Sequence, residues 1–485
     1  MTDLPVALFD FSAFAGDTAS YLSTIKEFAA GHAFRSAAVD ELLLDDDFYR
    51  RPLRPEDFGF IRFQQPVQSA TVSRLPSLAS QRTLLTLNEL SSSALPTERD
   101  PQRLAAFAEF ANNGNRVHAT RLAPFLEAFA FDYLGNLLPG EFPSSYAARL
   151  GRIYSDEYQF WIGLFNRLIA NNYLQEGLRF ILVQRWCLAP TKRRVLAEAA
   201  ARGNFESWPA GAAPSLASKV LGDAAFRRIA STLGVARSEH SYWQFYLPTS
   251  LAKCNLLYAL GRLPERTLAL GGALYVAQAE WLAFEAAIAQ CCPHLMKGIS
   301  IERSNPEQHV SELMRHVESV VQFLEQQGKD SAIRLGQGLA AAGKLAERAR
   351  WDLGEQLQWL STIERYRVHA ETISRRIETE CPDIDRETFV EPRDMCSTTH
   401  VHDDHRLVTV ETGIMHFWGN LDMRLEMNPG EKVLIPEGRL HGSTVLSPEC
   451  VYHQPIIPDE WVQSLLRQAP TGASSTRTTK PAVLA

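Results

Sequence analysis

The sequence has little of what would mark a secreted, membrane-spanning or zinc-finger protein. Only 7 cysteines occur in 485 residues, just Cys291 and Cys292 are adjacent, and there is no C-x-x-C pair. That excludes a disulfide framework and a zinc-finger pattern, and leaves reduced, mostly buried thiols. No window reaches the ~18 uninterrupted apolar residues of a membrane span, because even the Ala-rich stretch from Ala273 to Cys292 carries Gln278, Glu280 and Glu285. The opening stretch MTDLPVALFDFSAFAGD holds Asp3, Asp10 and Asp17 but no basic residue, so no secretion signal is expected and a cytoplasmic location is. Blocks of one charge are missing as well. The 49 Lys and Arg and 56 Asp and Glu are interspersed and leave a net charge of -7, so neither nucleic acid nor a membrane is an expected partner. There is no internal repeat.

What is present falls into two textures. A chain of 485 residues is too long for one ordinary core. Residues 1–135 mix helical patterns, Tyr21 to Ala38 and Arg103 to Asn112, with a loop-rich middle holding Pro52, Pro55, Pro66 and Pro76, and carry no catalytic motif. Residues 136–361 are almost continuously helix-patterned: Arg149 to Trp186, Lys192 to Ala201, Phe226 to Leu233, Tyr242 to Ala259, Pro264 to Ala289 and Glu307 to Gln326 predict one all-helical domain. Residues 362–386 read as a charged helical connector. From Phe389 the helical period vanishes, and short alternating runs (RLVTVET, IMHFW, LDMRLEM, KVLIP, VYHQPII) separated by Gly, Asn and Pro predict a small all-β barrel over residues 387–460. Residues 461–485, rich in Ser, Thr and Pro, read as a disordered tail.

The β segment carries two spaced motifs. His400-Val-His402 is followed by three residues, Arg406, six residues and Gly413; after sixteen more come Gly430, five residues, Pro436-Glu437-Gly438, two residues and His441. Residues i and i+2 of a strand share a face, so His400 and His402 can both look into a barrel, with His441 arriving from another strand. The pattern resembles the cupin family's H-x-H-x3-E-x6-G and G-x5-P-x-G-x2-H, with Arg406 where the family has a fourth ligand, Glu. Three neutral imidazoles would then hold one metal and leave coordination positions open for substrate and O2. Imidazole suits Fe, Cu, Ni and Zn alike; Fe(II) is what the resemblance implies. Arg406 is the candidate catalytic or substrate-meeting residue, and Arg424 a candidate substrate-binding one. His405, an odd neighbour of His402, should face the other way.

The stretch from Trp243 to Phe284 is similar to the heme-oxygenase-like diiron oxidases. Joined to a C-terminal three-His cupin behind an N-terminal helical domain, it resembles the nonheme iron enzymes that form the N-nitrosourea of streptozotocin, and their relatives. The fold so implied is multidomain α+β, with all-α N-terminal and heme-oxygenase-like central domains followed by the cupin barrel. The resemblance also implies a homodimer made by the N-terminal domain, a diiron site that hydroxylates guanidine nitrogens of an N-methylated arginine, and a cupin iron that rearranges the product to an N–N bond. Glu280 matches the family's mid-domain carboxylate, and His309 and His316 match the two histidines of its last metal helix. The family's Asp between them is Leu313 here, with Glu312 adjacent as a substitute. The upstream stretch Pro214 to Phe226, which should give a Glu and a His, offers only Asp223.

Three functional expectations follow. The first is a nonheme iron oxygenase of specialised metabolism whose cupin acts, by oxidative rearrangement or nitrosation, on an N-hydroxylated arginine- or other amino-acid-derived small molecule. The second is a two-site oxidase that also carries out the N-hydroxylation. The third is a non-enzymatic cupin sensor or binding protein; such sensors usually carry a basic DNA-reading helix, which this acidic chain does not offer.

Overall fold

The computed structural model describes residues 7–29, 78–92, 101–136, 145–186, 188–206, 208–209, 211–212, 216, 224–235, 242–293, 306–420 and 422–467. The proline-rich middle of the first segment, most of Pro214 to Phe226, and residues 468–485 lie outside them. Helices come first: α1 (Thr18–Ala29), α2 (Leu78–Ser92), α3 (Pro101–Phe110), α4 (Asn113–Asn136), α5 (Tyr146–Ala170), α6 (Leu174–Trp186), α7 (Leu188–Ala201), α8 (Ala224–Thr232), α9 (Pro248–Arg262), α10 (Thr267–Cys291), α11 (Pro306–Gln327), α12 (Lys329–Ser361) and α13 (Ile363–Glu380). Nine short strands follow, β1 (Thr388–Pro392), β2 (Cys396–His400), β3 (His405–Thr412), β4 (Met415–Trp418), β5 (Arg424–Met427), β6 (Lys432–Ile435), β7 (His441–Val445), β8 (Glu449–His453) and β9 (Ile456–Ile457), then α14 (Asp459–Leu466). The protein is thus helical domains followed by an antiparallel β domain.

Helix α10 is the axis of the helical body. Every residue from Ala269 to Glu280 is buried, as its apolar, Ala- and Gly-rich sequence requires, and α5 and α12 flank it. Its approach to α12 is close enough to need two glycines: a Cβ on Gly338 would lie 1.8 Å from the Ala269 carbonyl oxygen, and one on Gly272 would lie 2.1 Å from that of Leu335.

Helix α2 packs on α4 and on α9, so the first segment shares its core with the central helices rather than standing beyond a boundary at residue 135. Its polar residues are buried but paired across the contact. Asn88 donates its side-chain amide to the Asn255 side-chain oxygen at 3.0 Å, while Asn255 donates to the Gln81 carbonyl at 2.8 Å and Tyr258 donates to Glu89 at 3.0 Å. Burial of such groups is tolerable because each finds a partner.

The strands form two antiparallel sheets, ordered β1-β8-β3-β6 with β9 on β3, and β2-β7-β4-β5. Helix α13 lies against β6 and joins the helical body to the β domain. The disordered tail expected over residues 461–485 does not hold for 461–466, and residues 468–485 lie outside the described residues. Residues 461–466 complete α14, an amphipathic helix of about two turns with Asp459 and Glu460 favouring its N-terminus; Trp461, Val462 and Leu465 are buried, and Arg376 of α13 lies 4.1 Å over the Trp461 ring.

Gly338→Ala should drive α10 and α12 apart and cost about 1–3 kcal/mol or more, as overpacking does. A lowered midpoint in denaturant titration, with unchanged helix content before the transition, is the expected result.

Candidate metal centre

Strands β2 and β7 pair antiparallel, and His400 and His441 are direct cross-strand partners. His402 sits two residues past the end of β2. Its backbone is fixed to the turn before β7, because the Gly438 N–H donates to the His402 carbonyl at 2.8 Å. Gly438 has φ 73° and Gly413 φ 83°, a left-handed conformation that explains why both motif positions call for glycine. The register shift between Ser397 and His400 turns the strand end so that all three rings converge. Ring centroids stand 4.4 Å apart for His400 and His441, 4.9 Å for His400 and His402, and 5.1 Å for His402 and His441. One nitrogen of each ring lies within 4.8 Å of the others, and among the described residues this is the one group of three or more His, Cys, Asp or Glu side chains so gathered.

The donor set fits a first-row divalent cation. His402 Nε2 and His441 Nε2 are buried with no hydrogen-bond partner, which costs free energy unless something else binds there. His441 Nδ1 lies 2.7 Å from the Arg439 carbonyl, which can only accept, so the ring proton sits on Nδ1 and the Nε2 lone pair points into the cluster. Burial pushes His402 down to about 2, helped by the charges of His400 and Arg406, and burial likewise holds His441 well below its ordinary value. Both are therefore neutral donors at ordinary pH. Phe417 stacks on the His441 ring at 5.5 Å and Trp359, fully buried, meets its edge at 6.5 Å.

The helical body positions the ligand strands. Gln356 of α12 donates to the Leu440 carbonyl and accepts from the Leu440 N–H, both at 2.9 Å, clamping the residue before His441 as a neighbouring strand would. Arg82 of α2 donates to the Thr399 carbonyl and to its hydroxyl, both at 2.7 Å, and to the Gln244 carbonyl at 2.9 Å. Thr399 falls in the irregular stretch before His400, so Arg82 supplies a donor that the β2–β7 ladder does not. Nothing in the periodicity of α2 marks Arg82, and Gln356 lies in a pattern read only as helix.

Arg406 has a different role from the one expected. It donates to both Asp404 carboxylate oxygens at 2.6 and 2.9 Å, to the Gln454 carbonyl at 3.0 Å and to Glu387. Those bonds commit its guanidinium to holding the loop that carries His402, not to meeting a substrate. Arg424 is exposed at the start of β5, opposite Trp418 on the edge of the smaller sheet. His405 faces away from the cluster, accepting from the Glu437 N–H at 2.9 Å and pairing with Asp459 at 3.0 Å.

The four side chains considered for a second metal site are not brought together. Glu280 is ion-paired with Lys253, His316 shares a 2.7 Å hydrogen bond with the Tyr275 hydroxyl, Glu312 accepts from Gln308 at 3.1 Å, and His309 joins no metal-binding group among the described residues. Leu313, between the two histidines, is buried in the core.

A helical body carrying a C-terminal antiparallel β domain, with three imidazoles converging in it, defines a multidomain protein with a three-histidine cluster that could hold a metal ion. No protein-family model matches the chain. Nitrosourea synthase of Streptomyces achromogenes subsp. streptozoticus is 26% identical to it over 429 residues, covering 84% of this chain and 89% of that enzyme. The chain is related to that enzyme over most of its length.

Gln356→Leu and Arg82→Ala should each weaken metal binding about 10–100-fold, the usual effect of removing a group that orients a ligand. Equilibrium titration with Co(II) checks this, with thermal unfolding of the metal-free variants separating loss of orientation from loss of fold. Because His402 and His441 hold their neutral form far below pH 6.5, protons should not compete at these two donors, and any fall in affinity between pH 7.5 and 6 should correspond to no more than one proton released per ion bound. A fall corresponding to two or more protons in the same titration would contradict the depressed basicity of these two rings.

Proposed function

We propose that this protein is an Fe(II)-dependent oxygenase of specialised metabolism that forms an N–N bond, by nitrosation or oxidative rearrangement, on an N-hydroxylated amino-acid-derived substrate, with O2 as cosubstrate. The observation that carries it is the convergence of His400, His402 and His441, with two buried nitrogens otherwise unpartnered, in a chain related to a nitrosourea synthase. The spacing of both motifs supports a cupin as the barrel type.

His400, His402 and His441 would hold the iron. When bound there, Fe(II) supplies open coordination positions and electrons for O2 chemistry that the protein's own side chains lack. The residues around it do the positioning. Arg439, through its carbonyl, keeps the His441 proton on Nδ1 so that the facing nitrogen is always a donor. Phe417 and Trp359 wall the His441 side with apolar surface and exclude bulk water, which favours oxidation of the bound substrate over side reactions. Arg406, Asp404 and Glu387 lock the His402 loop. Three neutral ligands bring no charge to offset a divalent ion, so a substrate with an ionisable N–O or carboxylate oxygen is the better fit.

Protein reconstituted anaerobically with Fe(II) should consume O2 when given an N-hydroxylated guanidino amino acid and yield a product with an N–N=O group, read by mass spectrometry with 15N label. Zn(II) should bind without supporting O2 uptake. His441→Ala should lose activity by at least about 100-fold, on the scale of removing a metal ligand or its support. Full turnover by the Zn(II) form or by that variant would sink the assignment.

A further inference from the structure

The central helical pocket has the opposite electrostatics from the barrel. Glu157 of α5 and Glu280 of α10 are both buried in its wall, and each already holds a cation: Arg350 of α12 donates to Glu157 at 2.6 Å and Lys253 of α9 pairs with Glu280. Trp161 and Trp281 complete the lining, and the Arg185 guanidinium lies over both rings, at 5.5 and 5.2 Å. Glu157 feels the Glu280 charge, and burial pushes it up to about 7 against the pull of Lys253 and Arg350. The two carboxylates are thus close enough to repel, and two side-chain cations are interleaved with them.

A pair of metal ions in a helical bundle needs carboxylates that are anionic and unclaimed, since these bridge the ions and balance their charge. Here the positive charge is built into the chain. Seating metal ions would require both ion pairs to open and would set Lys253 and Arg350 beside the incoming cations, a like-charge cost in a poorly solvated place. The histidines do not compensate. His316 is bonded to Tyr275, and the position between His309 and His316 is the apolar, buried Leu313. The residues present do not fit the diiron group that the resemblance implies.

We propose that the helical pocket is a metal-free, ion-paired cavity in which Lys253 and Arg350 stand where metal cations would, so that this chain performs only the barrel's reaction. The consequence for its place in a reaction sequence rests on the oxygenase reading above. The N–OH group of the substrate must be installed by a separate N-hydroxylating monooxygenase, which converts N–H to N–OH with one atom of O2, reduces the other to water, and takes two electrons from a reduced nicotinamide or flavin.

The test uses the full-length protein, loaded anaerobically with Fe(II) and, in parallel, Mn(II) and Co(II), with metal counted by mass spectrometry after desalting. Wild type and Glu280→Gln should each bind about one ion per chain, and His400→Ala/His402→Ala should bind none and show no rise in unfolding temperature with added metal. Retention of two ions by the His400→Ala/His402→Ala variant, or loss of ions from wild-type stoichiometry in Glu280→Gln, would overturn the proposal. Should the double variant fail to fold, the comparison of wild type with Glu280→Gln still decides it. Wild type that binds no metal at all would refute the oxygenase reading while leaving the helical pocket metal-free, so the two failures are distinct. With wild type loaded, O2 uptake should follow addition of an N-hydroxylated guanidine and not its N–H counterpart; turnover of the N–H form to an N–OH product counts against the proposal.

Discussion

The geometry of the metal centre depends on one buried amide. Gln356 satisfies both backbone groups of Leu440 in a place where no strand passes, and in doing so fixes the entry of β7 one residue before His441. Each hydrogen bond is worth only about 0.5–1.5 kcal/mol net, but losing the amide strands two buried groups at about 1–3 kcal/mol each. The asymmetry makes the clamp effectively obligatory. Arg82 does the same for β2 at Thr399, and both clamps come from helices. The β domain supplies the three histidines; the helical body decides where they point.

That dependence explains why so much polar surface is buried where α2 meets the central helices. Arg262 reaches both Asn88 and Glu127, Arg194 pairs with Glu89, and Asn255 bridges Gln81 and Asn88. An apolar contact would bind α2 as firmly but would leave its rotation and translation loosely specified. A network of directional hydrogen bonds between these paired groups favours a single register. Arg82 can then arrive at Thr399 from the same helix.

The convergence of the three histidines was legible in the sequence because its logic is local. His400 and His402 are two apart, the motif glycines mark forced left-handed turns, and the short alternating runs announce strands. The helical body was legible where one face is apolar, as in α5, and where the whole helix is, as in α10. Helix α2 was missed because LASQRTLLTLNELSS buries its Ser, Gln, Arg, Asn and Glu, and polar burial leaves no periodic trace. The anchoring of Arg406 to Glu387 is not legible in the motif, because Glu387 lies nineteen residues upstream, beyond any motif frame. Glu280 stands out in the sequence only as the match to the mid-domain carboxylate of the family the chain resembles, and its setting depends on Lys253, Glu157 and Arg350, brought together only by packing.

The two pockets illustrate one rule of charge balance with opposite solutions. Buried carboxylates need positive charge, and whether a metal or a side chain provides it decides what the pocket can do. A lysine or arginine gives that charge permanently and offers no vacant coordination position, no redox change and no exchange with solvent. Glu157 and Glu280, once ion-paired, are therefore stable but chemically silent. Three converging imidazoles, with His441 buried and His400 and His402 half-buried, present the reverse case. They carry lone pairs without charge, so a cation can enter without displacing another, and the charge it brings is left for an incoming anion to balance. On the proposed reading this is why the barrel can keep its chemistry while the helices have given theirs up: the histidine cluster never depended on carboxylates that a neighbouring base could neutralise. It also predicts an order of loss. A single Lys or Arg reaching a carboxylate site closes it, whereas the histidine cluster is abolished by losing a ligand and weakened by losing either of the two clamps that aim it.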